Sequence, residues 1–469
     1  MSCKPASLWS WPSMVTGAAL QSDVLPRLLA DERQRFIAAH PKSAAMAKVA
    51  SAHWQGGVPL HWMGDWASPF PIFAASAHQA QITDIDGLTY DDFCLGDTPS
   101  MFGHGLEVVA RALSDQALKG TGFMLPTQDA VVVGQLLSER FGLPFWQTAN
   151  TATDANRAAI RWARAVTGRN QILVFDGCYH GAVDDTFVSL ASGKPGMKPG
   201  LVGQVHDVSA LAKVIDFNDL AALEAALAPG DVACVLAEPV MTNCGMIAPQ
   251  PGYLEALRRL TRQYGTLLLI DETHTISTGP GGATRAYGLE PDIFTLGKAI
   301  AGGVPAAVWG VTAELSQRMI AAAKAIGPGY SGIGTTLSGN ALSLAAMRVM
   351  LEQVMTRQAY DHMLAGAARL VAGLDRVIAK HGLAWSAVQS GARVELVFAS
   401  PAPTNARQMR AALDHDLLEA LHLYLINHGV LIAPFHNMML VSPVTSNAQI
   451  DRLIDAIDAF ALALESRPK

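Results

Sequence analysis

Charge is scarce in this chain: only 16% of its 469 residues are Asp, Glu, Lys or Arg, and the formal net charge is −6. No block of lysine and arginine occurs along it. A nucleic-acid partner would need a basic face to neutralise phosphates, so that class is excluded. Cysteine is sparse as well. Cys3, Cys94, Cys178, Cys234 and Cys244 form neither a CxxC pair nor a zinc-ligand spacing, and their odd number among apolar neighbours implies reduced thiols and no metal. Also missing are an uninterrupted apolar span of membrane length and, in the first twenty residues, a basic segment followed by an apolar core and a cleavage site. The expectation is a cytoplasmic protein, neither secreted nor inserted in a membrane. There is no internal repeat or low-complexity tract. What the chain does have is apolar mass: half its residues are hydrophobic, enough for one large and one smaller domain.

Residues 266–310 carry the most chemistry. Residues 266–270, TLLLI, read as a buried parallel strand that ends in Asp271 and Glu272. A second apolar run, residues 292–296, delivers Gly297 and Lys298, and small residues flank the lysine. The carboxyl edge of an open α/β sheet is where ligands bind. A carboxylate buried there either pairs with a cation or costs several kcal/mol to keep charged, and a desolvated lysine becomes a nucleophile. An acid and a lysine at adjacent strand ends suit pyridoxal phosphate chemistry, in which the lysine forms a Schiff base and the acid keeps the pyridine nitrogen protonated. Either residue alone is more often a surface or structural residue.

Residues 22–50 have helical spacing, with Val24, Leu25, Leu28, Leu29 and Phe36 on one face, and read as an N-terminal arm. Residues 53–73, rich in Trp, Pro and Gly, suit a cover over a site or a subunit interface. Residues 81–93, around Asp86-Gly87, predict a hairpin. After Gly103 helices and strands alternate: helices at 106–118, 127–141, 157–166, 219–227 and 253–264, strands at 145–149, 171–175 and 232–237. That alternation predicts an α/β domain with a mainly parallel sheet. Beyond residue 358 the pattern predicts a smaller α+β domain, with helix to 380, strand 393–398, helix 407–427, a two-strand unit over 430–441 and helix 450–464. The small, hydroxylated residues 150–156 before a helix can bind an anion or serve as an ordinary cap. The turn at 176–181 offers Tyr179 for stacking on a flat ring, and Glu238 stands at another strand's end.

Six segments then fall into a known order. Residues 150–156, GCYHG at 177–181, AEPV at 237–240, IDET at 270–273, TLGKAIAGG at 295–303 and TTLSGN at 335–340 resemble the class III (subgroup II) pyridoxal phosphate (PLP)-dependent aminotransferases. Within them the branch containing glutamate-1-semialdehyde aminomutase is the most similar. The resemblance spans roughly residue 82 to the C-terminus. It implies the fold type I architecture: a large α/β domain with a mostly parallel seven-stranded sheet (residues 86–345) and a small α+β domain from both chain ends (1–85 and 346–469). It implies PLP as cofactor and a homodimer with shared active sites. Carried over by position, Lys298 is the Schiff-base lysine and general acid/base, and Asp271 partners the pyridine nitrogen. Ala152 and Thr153 hold the phosphate, Tyr179 stacks on the ring, and Thr336 reaches the phosphate of the neighbouring subunit. Glu238 sits near Asp271, Asn243 near the ring 3-hydroxyl, and Thr273 under the ring.

The departures from the family pattern bear on specificity. Ala152 replaces a glycine, and Thr273 replaces the usual valine. His274 follows as either a donor steadying Asp271 or a structural histidine, with the latter favoured. Ala433 and Asn243 stand where many ω-aminotransferases carry an arginine and its glutamate partner, and residues 56–63 lack the arginine of the aminomutase branch. The implied pocket wall, His61, Trp62, Trp66, Asp97 and Phe102, suits a bulky or amine-bearing substrate. The expectation is therefore an aminotransferase that moves an amino group from a primary amine or ω/β-amino acid to a keto acid by a ping-pong cycle. The alternatives are a glutamate-1-semialdehyde-like 2,1-aminomutase, a non-transaminating PLP enzyme on the same fold, or a PLP-binding protein without catalysis.

Overall fold

A computed structural model describes residues 24–204 and 207–465. Its centre is a seven-stranded sheet in the order Phe145–Ala149, Ala307–Val311, Ile293–Leu296, Leu267–Asp271, Val232–Ala237, Gln171–Phe175, Ala212–Ile215. All neighbours pair in parallel except Ala307–Val311, which is antiparallel to both of its partners. The two central strands, VACVLA and LLLID, are buried at every residue, as continuous apolar runs covered on both faces must be. Parallel pairing brings successive carboxyl ends to one edge. Asp271 lies in register with Thr295 on the next strand, so Asp271, Glu238 and the Gly297-Lys298 turn gather there.

A smaller unit joins both ends of the chain. Val430–Leu431 pairs with Thr89–Asp92 in a second, four-stranded sheet, and the helix Val24–Ala39 packs on His415–Asn427. Leu29 and Phe36 share one apolar cluster with Leu421, Leu425, Ile457 and Phe460. Among the described residues no helix is long and apolar enough to cross a membrane.

Several elements differ from the sequence reading. The arm read over 22–50 is two helices, Val24–Ala39 and Pro41–Ala50, because Pro41 cannot donate to the preceding turn and starts a new helix at its first position; residues 22 and 23 lie outside the described residues. The helix read over 407–427 is also two, Ala406–Ala412 and His415–Asn427. Asp414 breaks it by capping the second, accepting from Leu417 N at 3.0 Å. The two-strand unit at 430–441 is not a hairpin: Val430–Leu431 and Met438–Leu440 belong to different sheets. The hairpin at 81–93 forms, with Ala74–His78 added ahead of it.

Candidate active site

The site starts at the buried carboxylate of Asp271. Its Oδ1 accepts from Thr273 N at 3.0 Å, and its Oδ2 takes Asn156 Nδ2 at 2.9 Å and His180 Nδ1 at 3.0 Å. Burial pushes this carboxyl up, but His180 and the hydrogen bonds from Thr273 and Asn156 outweigh it and hold Asp271 below the usual carboxylate range. The result is a buried acid that favours its charged form. Glu272 beside it has another task. It accepts from Ala283 N at 3.1 Å and Thr275 Oγ1 at 2.6 Å, and from Thr284, so it fastens the following loop.

Lys298 opens the turn after Ile293–Leu296, at φ 47. Its Nζ donates to Asp97 Oδ2 at 2.6 Å and touches His274 Nε2. Asp97 is therefore on the lysine itself. Burial raises the Asp97 carboxyl, but the Lys298 charge and His274 win and hold it well below the usual range. His274 is not among the hydrogen-bond partners of Asp271; it is buried and has partners on both ring nitrogens, one of them the lysine. Its Nδ1 lies 2.7 Å from Thr242 Oγ1, and that hydroxyl donates to Glu238 Oε2. Burial, aided by the Lys298 charge, holds His274 down at about 4, and burial pushes Glu238 up to about 7. Asn243 Nδ2 stands at 3.4 Å from both Thr242 Oγ1 and His274 Nδ1.

Thr151 caps the helix Ala152–Thr167, accepting from Asp154 N at 3.2 Å, so Ala152 and Thr153 form its first turn at the mouth of the site. Thr153 Oγ1 accepts from Ala182 N at 3.0 Å. Gly297 lies so close that a Cβ there would stand 2.9 Å from Ala152 Cβ. Tyr179 meets Trp62 edge-on at 5.7 Å, and Trp62 meets His61 at 5.1 Å and Phe435 at 5.6 Å. Lys198 Nζ is 5.8 Å from the Tyr179 ring. Trp66 packs against the apolar cluster of the smaller unit, and Phe102 against Tyr360. Thr336 is exposed on its loop, where Thr335 Oγ1 accepts from Asn150 Nδ2 at 2.8 Å.

Sequence reasoning did not single out Asn156, Thr242 or Arg393. Arg393 is fully buried and donates to Thr98 Oγ1 and, at 3.2 Å, to His274 O. Asn156 lies one turn inside the helix Ala152–Thr167, whose local sequence signal is its capped N-terminus and not that side chain.

These residues fit a phosphorylated pyridine aldehyde. The charged acid could partner a ring nitrogen, the helix N-terminus with its small side chains could take a phosphate, the Lys298 amine could meet an aldehyde, and Gly297 keeps its turn close to that helix. Fold and site together define a PLP-dependent enzyme of fold type I. The chain belongs to the class-III aminotransferase family, whose pattern matches residues 62–461. It is 33% identical over 396 residues to "Glutamate-1-semialdehyde 2,1-aminomutase 2" of Brevibacillus brevis, covering 82% of this chain and 90% of that one. It is 45% identical to a glutamate-1-semialdehyde-aminomutase from Pseudomonas aeruginosa PAO1, at a TM-score of 0.91, covering 94% of this chain and 98% of that one. A lysine-to-alanine form of that protein, 44% identical at the same TM-score and coverage, was solved in complex with PMP. These relatives overturn the expectation of intermolecular transamination: they are 2,1-aminomutases, which move the amino group within one molecule.

Proposed function

We propose that the chain is an intramolecular aminomutase that shifts an amino group between carbons 2 and 1 of an acidic amino aldehyde such as glutamate 1-semialdehyde. The observation that carries this reading is similarity along nearly the whole chain to proteins of that name. The site chemistry supports it. An amine flanked by a carboxylate and a neutral imidazole can take a proton at one carbon and keep it for the next. PLP, when bound, supplies the electron-accepting ring. Lys298, Asp271, Ala152, Thr153 and Tyr179 would hold it, with Thr273, Asn243 and Glu238 around them and Thr336 reaching over from a second subunit. Trp62 and His61 would wall the entrance, and Lys198, beside Tyr179, is a cation that can meet the acidic end of the substrate. Exposed Phe123, Met124, Leu125 and Leu337 support a homodimer. The buried free cysteines 94, 178, 234 and 244 support a cytoplasmic setting.

The test is to give PMP-loaded enzyme glutamate 1-semialdehyde with no added amine or keto acid. Complete conversion to the isomer with amino and carbonyl groups exchanged is expected. A requirement for an external keto acid would overturn the reading.

A further inference from the structure

The chain of contacts behind Lys298 does not end at His274. Lys298 Nζ touches His274 Nε2, His274 Nδ1 lies 2.7 Å from Thr242 Oγ1, and Thr242 Oγ1 donates to Glu238 Oε2. With Glu238 ionised, the Thr242 hydroxyl donates to it and accepts from His274 Nδ1, which leaves Nε2 as the acceptor facing the lysine. His274, Thr242 and Glu238 are 6%, 1% and 3% exposed, so water cannot compete beyond the lysine, whose own side chain is 28% exposed. Glu238 Oε1 is buried without a hydrogen-bond partner, which a protonated carboxyl tolerates better than a carboxylate.

We propose that Glu238 is the proton store of Lys298, reached through His274 and Thr242, and that it lets the lysine pass between ammonium and free amine by an internal route. Three protons move in file. One leaves Lys298 Nζ for His274 Nε2, one leaves His274 Nδ1 for Thr242 Oγ1, and the Thr242 hydroxyl proton passes to Glu238 Oε2. The ammonium and carboxylate become amine and carboxylic acid, with net charge unchanged and no co-reactant needed. The histidine changes tautomer, and the reverse file returns the proton. The raised Glu238 carboxyl agrees with a proton resting there near neutrality. The groups that bias the balance are His180, Asp271 and Arg393 around Glu238, and Asp97 and Arg393 around His274. Asp97, at 2.6 Å, pulls the other way by favouring the ammonium. The proposal rests on the aminomutase reading for its purpose, since an amino shift inside one molecule takes up and gives back protons at the same lysine, but its geometry stands apart from any substrate.

The experiment follows the near-visible absorbance of the PLP-loaded enzyme, which reports protonation at the Lys298 nitrogen, across pH 5–9 in wild type, Glu238→Gln, Thr242→Val and Thr242→Ser. Wild type and Thr242→Ser should share an inflection near 7, the value to which burial pushes Glu238. Glu238→Gln should lose it, and Thr242→Val should move it by about one pH unit, the size of one broken buried hydrogen bond. Identical titrations in wild type, Glu238→Gln and Thr242→Val would overturn the proposal. If Glu238→Gln fails to fold, the contrast between serine and valine at 242 decides alone: a shift in valine only supports the relay, and no difference between the two overturns it. Failure of the isomerisation assay with these titrations intact would sink the aminomutase reading and leave the relay standing.

Discussion

Lys298 Nζ meets Asp97 Oδ2 at 2.6 Å, and both residues hold left-handed backbone, at φ 47 and 57. Asp97 belongs to a run of four such residues, with Leu95 at 48, Gly96 at 63 and Thr98 at 100. Each non-glycine residue there costs about 1–2 kcal/mol, so the turn persists because its surroundings enforce it. From one side Asp92 Oδ1 accepts from Cys94 N at 2.8 Å and Leu95 N at 2.9 Å. From the other, the buried Arg393 guanidinium grips Thr98 Oγ1 and His274 O. Arg393 thus ties the acid's turn to the loop that carries the imidazole, and both arrive at the lysine.

Arg393→Met should therefore release the turn. The expected loss is about 2–4 kcal/mol of unfolding free energy, for two buried hydrogen bonds and the strain they hold in place. Arg393→Lys should recover little of it, because one ammonium cannot span both acceptors. Urea unfolding of the three proteins measures this, and equal stability of wild type and Arg393→Met would show that the turn needs no such clamp.

Gly297 tests the cradle. Its φ of −121 suits any residue, so a substitution there acts through space alone. In Gly297→Ala the new methyl would lie 2.9 Å from Ala152 Cβ and 3.2 Å from Ala152 N. It would push the lysine turn off the helix N-terminus. PLP affinity, followed by fluorescence quenching, should fall at least about tenfold, while circular dichroism stays unchanged.

The His180–Asp271 pair gives a pH dependence of opposite sign at its two ends. Burial works against the imidazolium, but Cys178 and Asp271 overcome it and raise His180 from 6.5 to about 10. A group raised by folding lends stability that is fully present below its unfolded value and is lost as pH climbs through the folded one. Wild type should then lose stability progressively between pH 6.5 and 10. Asp271, held below its ordinary value, contributes above that value and gives way only in acid. Urea unfolding at intervals from pH 6 to 10 should show a falling limb in wild type and a flatter one in His180→Gln. Parallel curves would mean that His180 is not charged in the folded protein.

Most of the large sheet could be read from the sequence because its central strands are short, mainly apolar runs that alternate with amphipathic helices, and Asp271 and Lys298 followed because strand ends locate themselves. Ala212–Ile215 escaped notice because a four-residue edge strand containing Lys213 has no apolar run to mark it. The site's remaining members depend on contacts far apart in the chain. Asp97 and Lys298 are 201 residues apart, and Arg393 and Thr98 are 295 apart. Nothing local in LGDT announces a left-handed turn aimed at a lysine. His274 was conspicuous as a departure from pattern, yet which of its two nitrogens faces Lys298 depends on Thr242 and Glu238, and no spacing rule links those to it.

Thr336 bears on whether each site is built by two chains. It is exposed on the loop 335–340, a position suited to reaching a phosphate across a dimer interface. Thr336→Glu would set a carboxylate against that phosphate, and Lys298→Ala removes the reacting amine. Each homodimer should be impaired. When the two variants are unfolded together and refolded as a mixture, half the dimers are mixed. Each mixed dimer then holds one site with Lys298 from one chain and Thr336 from the other, both wild type. Activity should return to about a quarter of the wild-type value. If Thr336 served the site of its own chain, every site in the mixture would keep a defect and nothing would return. The recovered fraction therefore distinguishes a shared site from two independent ones without any structure of the dimer.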